Sequence, residues 1–528
     1  MRTLPLLAIA VALSGCRRDP AASSTTAALD ALWALAPAGA RGAIVLSPRS
    51  LTMAEHAFAD LRATFDREPE FAPAKVQLEA MFAPVGGPSI TLADLGFTPT
   101  KGAALFLVKD GMIAILPVAD RDKFLARVKG TKGATATDAD RIDAATCKLV
   151  RGFYACATAE PLLATIGQGQ LKQELAAAGA RGDIEIVGTE LPFGGTQPGA
   201  AALVLQLARG AAVVRGTVTR APHELTDRFT RTATPRADTG HSAGFALVDL
   251  TSVARPSPEV VLGDVTIERV LSSLDGMLSI VIPAGPLAFD IELPLKDPAP
   301  FTTIVERCAE LPGAEMIGAK FADGACHVSV PQLGLALDAW VEPKRLRVGN
   351  KAKPVTGTAV AMTPVGSELA RGTWSFAVWG RGTMMAEGAM SPVADPAALE
   401  PEAAVMIRLM ALVNELGLGV RLEGEQLKFL GVVRTAFANP DDVVAKLTKI
   451  TAAEIAASRA ATAAKPIADA APGSPFAADF KAGQGGLMIP TALVGMGASI
   501  AIPAMLQYRE GADGDDAPPP GAPAPITP

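Results

Sequence analysis

The sequence predicts an α+β fold: two or three repeated hairpin–helix (β-β-α) units forming antiparallel sheets covered by helices, plus a C-terminal apolar helix. Three observations lead there. Apolar runs come in pairs joined by turn residues, a cap residue follows each pair, and a short amphipathic stretch follows the cap.

The chain has 528 residues, a length for roughly three domains. Apolar residues make up 49% and charged residues 19%, which excludes a wholly disordered chain and a coiled coil. A net charge of −6 argues against nucleic-acid binding through a basic surface. There is one long apolar span, so the chain is no multi-span transporter. The four histidines lie far apart and no cysteine pair has metal-ligand spacing. Neither a metal nor a cofactor is expected.

At the N-terminus, Arg2 supplies a short positive region and Leu4 to Leu13 an apolar core too short to span a membrane. Leu13-Ser14-Gly15-Cys16 resembles the lipobox of bacterial lipoproteins. The resemblance implies that the Cys16 thiol receives a diacylglyceryl group and that residues 1–15 are a signal peptide removed just before it. Two or three acyl chains hold a protein firmly at a bilayer. Arg17 stands where some inner-membrane lipoproteins carry a retaining aspartate, which leans the address towards the outer membrane. Residues 16–30 read as a flexible tether.

The first unit (31–240) holds Ala103–Val108 and Met112–Val118, joined at Asp110-Gly111. Asp120 follows as the cap of a helix carrying Phe124, Leu125 and Val128. In the second unit (241–396), Met277–Ile282 and Leu287–Leu293 precede Asp297-Pro298, a cap with proline at the first helical position. The third, smaller unit (397–460) has Gly419–Leu422 and Leu427–Val433 about Gly424, then a helix opened by Asn439-Pro440-Asp441-Asp442. The first two share wording about 177 residues apart: Leu116-Pro117-Val118-Ala119-Asp120 beside Leu293-Pro294-Leu295-Lys296-Asp297. Further apolar runs at 200–208, 211–219, 243–250 and 373–379 extend the sheets. Helices are expected at 52–65, 73–82 and 397–416.

Export implies an oxidising compartment, and four cysteines remain besides Cys16. A two-residue turn at Arg151-Gly152 sets Val150 opposite Phe153, Leu149 opposite Tyr154, Lys148 opposite Ala155 and Cys147 opposite Cys156. The cysteines fall on a non-hydrogen-bonded pair with Cα atoms about 4.5 Å apart, within disulfide range. Cys308–Cys326 follows by elimination, joining a helix end to a strand. Buried free thiols are the alternative.

Over roughly residues 90–350 the chain resembles a loosely defined group of bacterial envelope lipoproteins of unknown function with repeated β-β-α units. The resemblance rests on residues 95–107 (Leu-Gly-Phe-Thr-Pro-Thr-Lys-Gly-Ala-Ala-Leu-Phe-Leu), on the Leu116–Asp120 stretch, and on the Cys147/Cys156 hairpin running into Ala157-Thr158-Ala159-Glu160. It implies an envelope address and carries no catalytic residues with it.

Residues 461–485 form a linker. From Leu487 to Tyr508 no residue is charged. As a helix this stretch rises about 33 Å, enough to cross a bilayer. Ile500-Ala501-Ile502-Pro503 with Tyr508 is similar to the end of the apolar segment of type IV pilins, but it lies at the wrong end of the chain and no processing site precedes it. Pro490, Pro503, Gly495 and Gly497 favour the other reading, an apolar helix packed on the body or on a partner. The acidic, Pro-rich tail (509–528) is compositionally disordered.

Gly240-His241-Ser242-Ala243-Gly244 matches the nucleophile-elbow pattern of α/β-hydrolases. That chemistry needs a strand leading in and a helix leading out. Here the lead-in is polar and proline-broken, the exit reads as a strand, and His327 is the only histidine downstream. Asp138, Asp140 and Asp143 read as solvated turns, as do Asp513, Asp515 and Asp516; neither group has the glycine and distal glutamate of a calcium loop. Trp374 and Trp379, five apart in a strand-like run, are expected on opposite faces, which leaves either one exposed for stacking or both in the core. The expected function is therefore non-catalytic binding or scaffolding by a lipid-anchored envelope protein, with a membrane and a protein as partners. The alternatives are a hydrolase centred on Ser242 and an accessory subunit docking through 487–508. Outer and inner membrane both stay open.

Overall fold

The computed structural model describes residues 22–67, 91–219, 226–236 and 242–435, less stretches at 192–198, 284–288, 331–334, 352–361 and 386–410 and a few gaps of one to three residues. Cys16, the helices expected at 73–82 and 439–450, the linker, the 487–508 segment and the tail lie outside the described residues. Among the described residues no helix is long and apolar enough to cross a membrane.

The first part of the chain supplies β1 (Ala40–Leu46), β2 (Ala103–Val108), β3 (Gly111–Leu116), β4 (Asp140–Ile142), β5 (Ala145–Val150), β6 (Phe153–Ala157), β7 (Ile184–Leu191), β8 (Gly199–Ala208) and β9 (Ala211–Thr219). The second supplies β10 (Ser242–Val248), β11 (Val260–Leu262), β12 (Val265–Thr266), β13 (Leu278–Pro283), β14 (Asp290–Pro294), β15 (Lys320–Ala322) and β16 (Ala325–Val330). It continues with β17 (Leu335–Glu342), β18 (Arg345–Gly349), β19 (Phe376–Gly380), β20 (Val413–Glu423) and β21 (Gln426–Thr435). All but β11 and β12, which form a separate ribbon, join one antiparallel sheet of 19 strands. The pairings run from one edge to the centre as β4-β5-β6-β3-β2-β1-β7-β8-β9. From the centre to the other edge they run β21-β20-β19-β10-β13-β14-β18-β17-β16-β15, and β9 pairs with β21 to join the halves.

This overturns the expected α+β class. The chain does not build separate hairpin–helix units with sheets of their own; it builds one continuous sheet that carries a few mostly short helices. The reason is that the outer backbone groups of the hairpins β2–β3, β13–β14 and β20–β21 are satisfied by strands further away in sequence, not by a local helix. The hairpin assigned to a third unit, β20–β21, lies mid-sheet between β19 and β9. The helix expected at 397–416 yields to strand from Val413 onward.

What recurs is strand order within that sheet. β1-β2-β3, a helix, a β-ribbon and then β7-β8-β9 parallel β10-β13-β14, a helix, a ribbon and then β19-β20-β21. The two halves meet symmetrically. Counted from the turns after Ala208 and Glu423, Ala212 corresponds to Leu427 and Val218 to Val433. Leu427 pairs with Val218 and Val433 with Ala212, as a pseudo-twofold axis through the β9–β21 seam requires.

The local predictions hold where the hairpins are concerned. Val150↔Phe153, Leu149↔Tyr154, Lys148↔Ala155 and Cys147↔Cys156 are the observed pairs. Arg151 and Gly152 at the turn both take positive φ, as a two-residue hairpin of this hand demands. Cys147–Cys156 and Cys308–Cys326 are both disulfide-bonded, with Cα separations of 4.0 and 6.1 Å.

Among the described residues, the five longest helices are α1 (Ala22–Trp33), α2 (Pro48–Arg67), α3 (Arg121–Arg127), α4 (Ala299–Glu306) and α5 (Pro364–Arg371), beside three shorter ones at Lys172–Leu175, Leu250–Val253 and Ile267–Ser272. Asp120 caps α3 by accepting the Lys123 N–H at 2.9 Å, and Asp297 accepts the Ala299 N–H ahead of α4 at 2.9 Å. α3 and α4 lie on one face: Phe124 packs with Leu116, Val118 and Tyr154, and Phe301 with Leu293, Leu295 and Leu346. α1 covers the other face of the first half with Leu29, Leu32 and Trp33. α5 covers the middle through Leu369, with Trp374, Trp379 and Leu430.

The spacing of Asp138, Asp140 and Asp143 predicts solvated turn residues, and Asp140 departs from it. It is instead fully buried beneath α3 and opens the edge strand β4. Arg121 grips its carboxylate through Nε at 2.6 Å and through Nη2, and the Tyr154 hydroxyl and the Gly133 N–H (2.8 Å) also donate to it. Burial would raise this carboxyl, yet the three donors hold it down at about 2. A depressed carboxyl contributes stability above its unfolded value and loses it as the pH falls through the folded one. Arg121→Met should therefore destabilise the protein by roughly 3–5 kcal/mol at neutral pH, measured by urea unfolding. The deficit should shrink as the pH drops from 3.8 towards about 2.

Candidate functional site

The sheet face opposite α3 and α4 differs between the halves. In the first half, register aligns Val45, Ala104, Ile115 and Ala155 in one row, with Ala43, Phe106 and Ile113 beside it. All are buried beneath α1. In the second half the matching row is Leu247, Ser279, Glu292, Arg347 and Trp340. The shared Leu-Pro stretches at 116–117 and 293–294 fix the correspondence: Glu292 stands where the first half has Ile115, and Asp290 where it has Ile113. A row that must be apolar in one half is ionic in the other.

These groups are half-buried and knit across three strands. Arg236, from the segment before β10, donates to Asp290 at 2.9 Å, and Arg347 donates to the same carboxylate at 3.0 Å. Burial alone would raise the Asp290 carboxyl, but the Arg236 bond and the charges of both guanidiniums hold it below the ordinary carboxylate range. Arg345 Nε donates to Glu342 at 2.5 Å, lowering that carboxyl too against a smaller effect of burial. Trp340 Nε1 donates to Glu342 at 3.1 Å, and the Arg347 guanidinium lies 5.9 Å from the centre of the Trp340 ring. Among the described residues Glu292 receives only long contacts, 3.4 Å from Arg345 and 3.5 Å from Arg347.

Beside this network lies a groove of about 580 Å³ between segment 231–236 and residues 274–279, with Glu292 and Leu247 in its lining. Its size is that of a small-molecule site. The lining mixes buried apolar side chains, Leu247, Leu274 and Met277, with Arg231, Asp275 and Glu292.

The remaining candidates are dispersed. Cys16 lies outside the described residues, and the other four cysteines are tied in structural bridges. Ser242 is buried as the first residue of β10 and is followed by strand, not helix. His327 sits on β16, five strand spacings away, or roughly 24 Å along the sheet. Its Nδ1 lies 2.6 Å from Asp338 and its Nε2 3.1 Å from the Ala322 carbonyl. The structure does not bring Ser242 and His327 together. Among the described residues no three His, Cys, Asp or Glu side chains cluster as metal ligands. Trp374 and Trp379 are both buried, as the core reading has it; they share one core and do not take opposite faces, because the strand begins at Phe376.

Sequence reading missed the ionic face. Its signal was present as strict alternation, Asp290-Ile291-Glu292-Leu293 and Arg345-Leu346-Arg347-Val348, but alternation does not say which strands become neighbours. Comparison with protein-family models, with characterised proteins and with solved structures finds no match.

Of the four tryptophans, Trp33, Trp374 and Trp379 are at most 2% exposed, whereas Trp340 is partly open. Acrylamide quenching should find one accessible fluorescence component in the native protein, and Trp340→Phe should remove most of it.

Proposed function

We propose that this chain is a lipid-anchored protein of the bacterial envelope that acts by binding, with the ionic face of the second half-sheet as its binding surface. One observation carries the reading: the charged row through Glu292 and Arg347 replaces the apolar row that the first half buries under a helix. Keeping charged groups half-buried costs stability that an apolar row would not, and such a cost is commonly kept for recognition. The lipobox at Cys16 and the two disulfides support an exported, membrane-held protein.

A photo-crosslinking residue at Lys320, on the ionic face by register, tests this in native membranes. Leu149, exposed on the opposite face of the other half, is the control. A discrete adduct is expected from position 320 and not from 149. Equal or absent labelling at both would defeat the reading. Cys16→Ser should move the protein out of the membrane pellet on fractionation, and retention of the variant in the pellet would count against an anchor made by the lipid alone.

A further inference from the structure

We infer that the groove beside the ionic face takes a short peptide bearing a free carboxylate and a free ammonium group. The inference rests on the binding reading above and names its ligand class. Two opposite charges of the lining have coordination to spare. Arg231 meets Asp249 only at 3.9 Å, and its side chain is 43% exposed. Asp275 is exposed and makes no ion pair among the described residues. The other cation of the lining, Arg236, is engaged with Asp290 at 2.9 Å, so it is Arg231 that can present its planar fork to an incoming carboxylate.

Asp275 and Glu292, both in the lining, offer carboxylate oxygens to an ammonium. Glu292 also retains acceptor capacity, since its own contacts are no shorter than 3.4 Å. Leu247, Leu274 and Met277 supply apolar contact in the same lining. A ligand of one sign would leave the opposite lining charge facing it unpaired, which costs affinity. An amphoteric ligand satisfies both, and the groove volume suits a few residues, not a folded partner.

The experiment is calorimetric titration of the purified full chain, disulfides intact, with trialanine, with its C-terminal amide, with its N-acetyl form and with the doubly capped peptide. Trialanine should bind, and double capping should weaken binding at least tenfold. Arg231→Gln should weaken trialanine but leave the C-terminal amide unchanged, and Asp275→Asn should weaken trialanine but leave the N-acetyl form unchanged. Circular dichroism of both variants checks that they fold. Capped and free peptides binding alike, no binding of trialanine, or variants indifferent to the caps would each overturn the ligand class. A crosslink from position 320 obtained alongside any of those results would show that the ligand class has failed while the binding face stands.

Discussion

The pairing of β9 with β21 is the constraint on which the whole sheet depends. Eight residue pairs, from Leu427↔Val218 to Arg434↔Ala211, convert two half-sheets into one. Without it, each half would present a long strand edge with a row of unpaired amides and carbonyls. Both strands are long, and Val432, Leu430 and Leu427 are buried alongside them. The seam is thus closed both by ladder hydrogen bonds and by apolar packing. The outermost strands, β4 and β15, have only three residues each, and short edges limit uncontrolled pairing.

The seam also explains how one half could diverge. The ladder is made by backbone groups, which are indifferent to side-chain identity, so a strand order can recur while its faces change. The first half keeps the usual arrangement, with α1 pressed onto Ile113, Ile115 and Phe106. The second keeps the helix on the opposite face, where Phe301 meets Leu293 and Leu346, but places Asp290, Glu292, Arg345 and Arg347 where burial under a helix would be prohibitive for unpaired charge. The network of arginines around three carboxylates, Asp290, Glu292 and Glu342, lets the face persist half-buried, and Glu292 also lines the adjoining groove.

Buried polar groups are handled alike in both halves. Trp33 donates its indole N–H to Glu185 at 2.6 Å, and Trp379 donates to Glu415 at 2.7 Å. Each places a carboxyl inside the core and supplies it with an aromatic donor, which ties α1 to β7 and β19 to β20. Asp140 plays a similar part beneath α3, with Arg121 and Tyr154 as donors. All three belong to the scaffold and stand apart from the groove.

The amino-acid sequence alone specifies the pieces of this fold that close over a few residues. The hairpins at Asp110, Arg151 and Gly424, the caps Asp120 and Asp297, and the Cys147–Cys156 bridge follow from turn chemistry and period-two counting, because their partners are local. It failed where partners are remote. Nothing in the wording of β9 names β21, some two hundred residues on, since any unpaired edge accepts any other. Long-range pairing therefore makes one sheet in place of several, buries Asp140, and sets Glu292 beside Arg347 on a half-buried face next to a groove. Side-chain alternation tells which residues share a face; the assembled neighbours alone tell whether that face is covered.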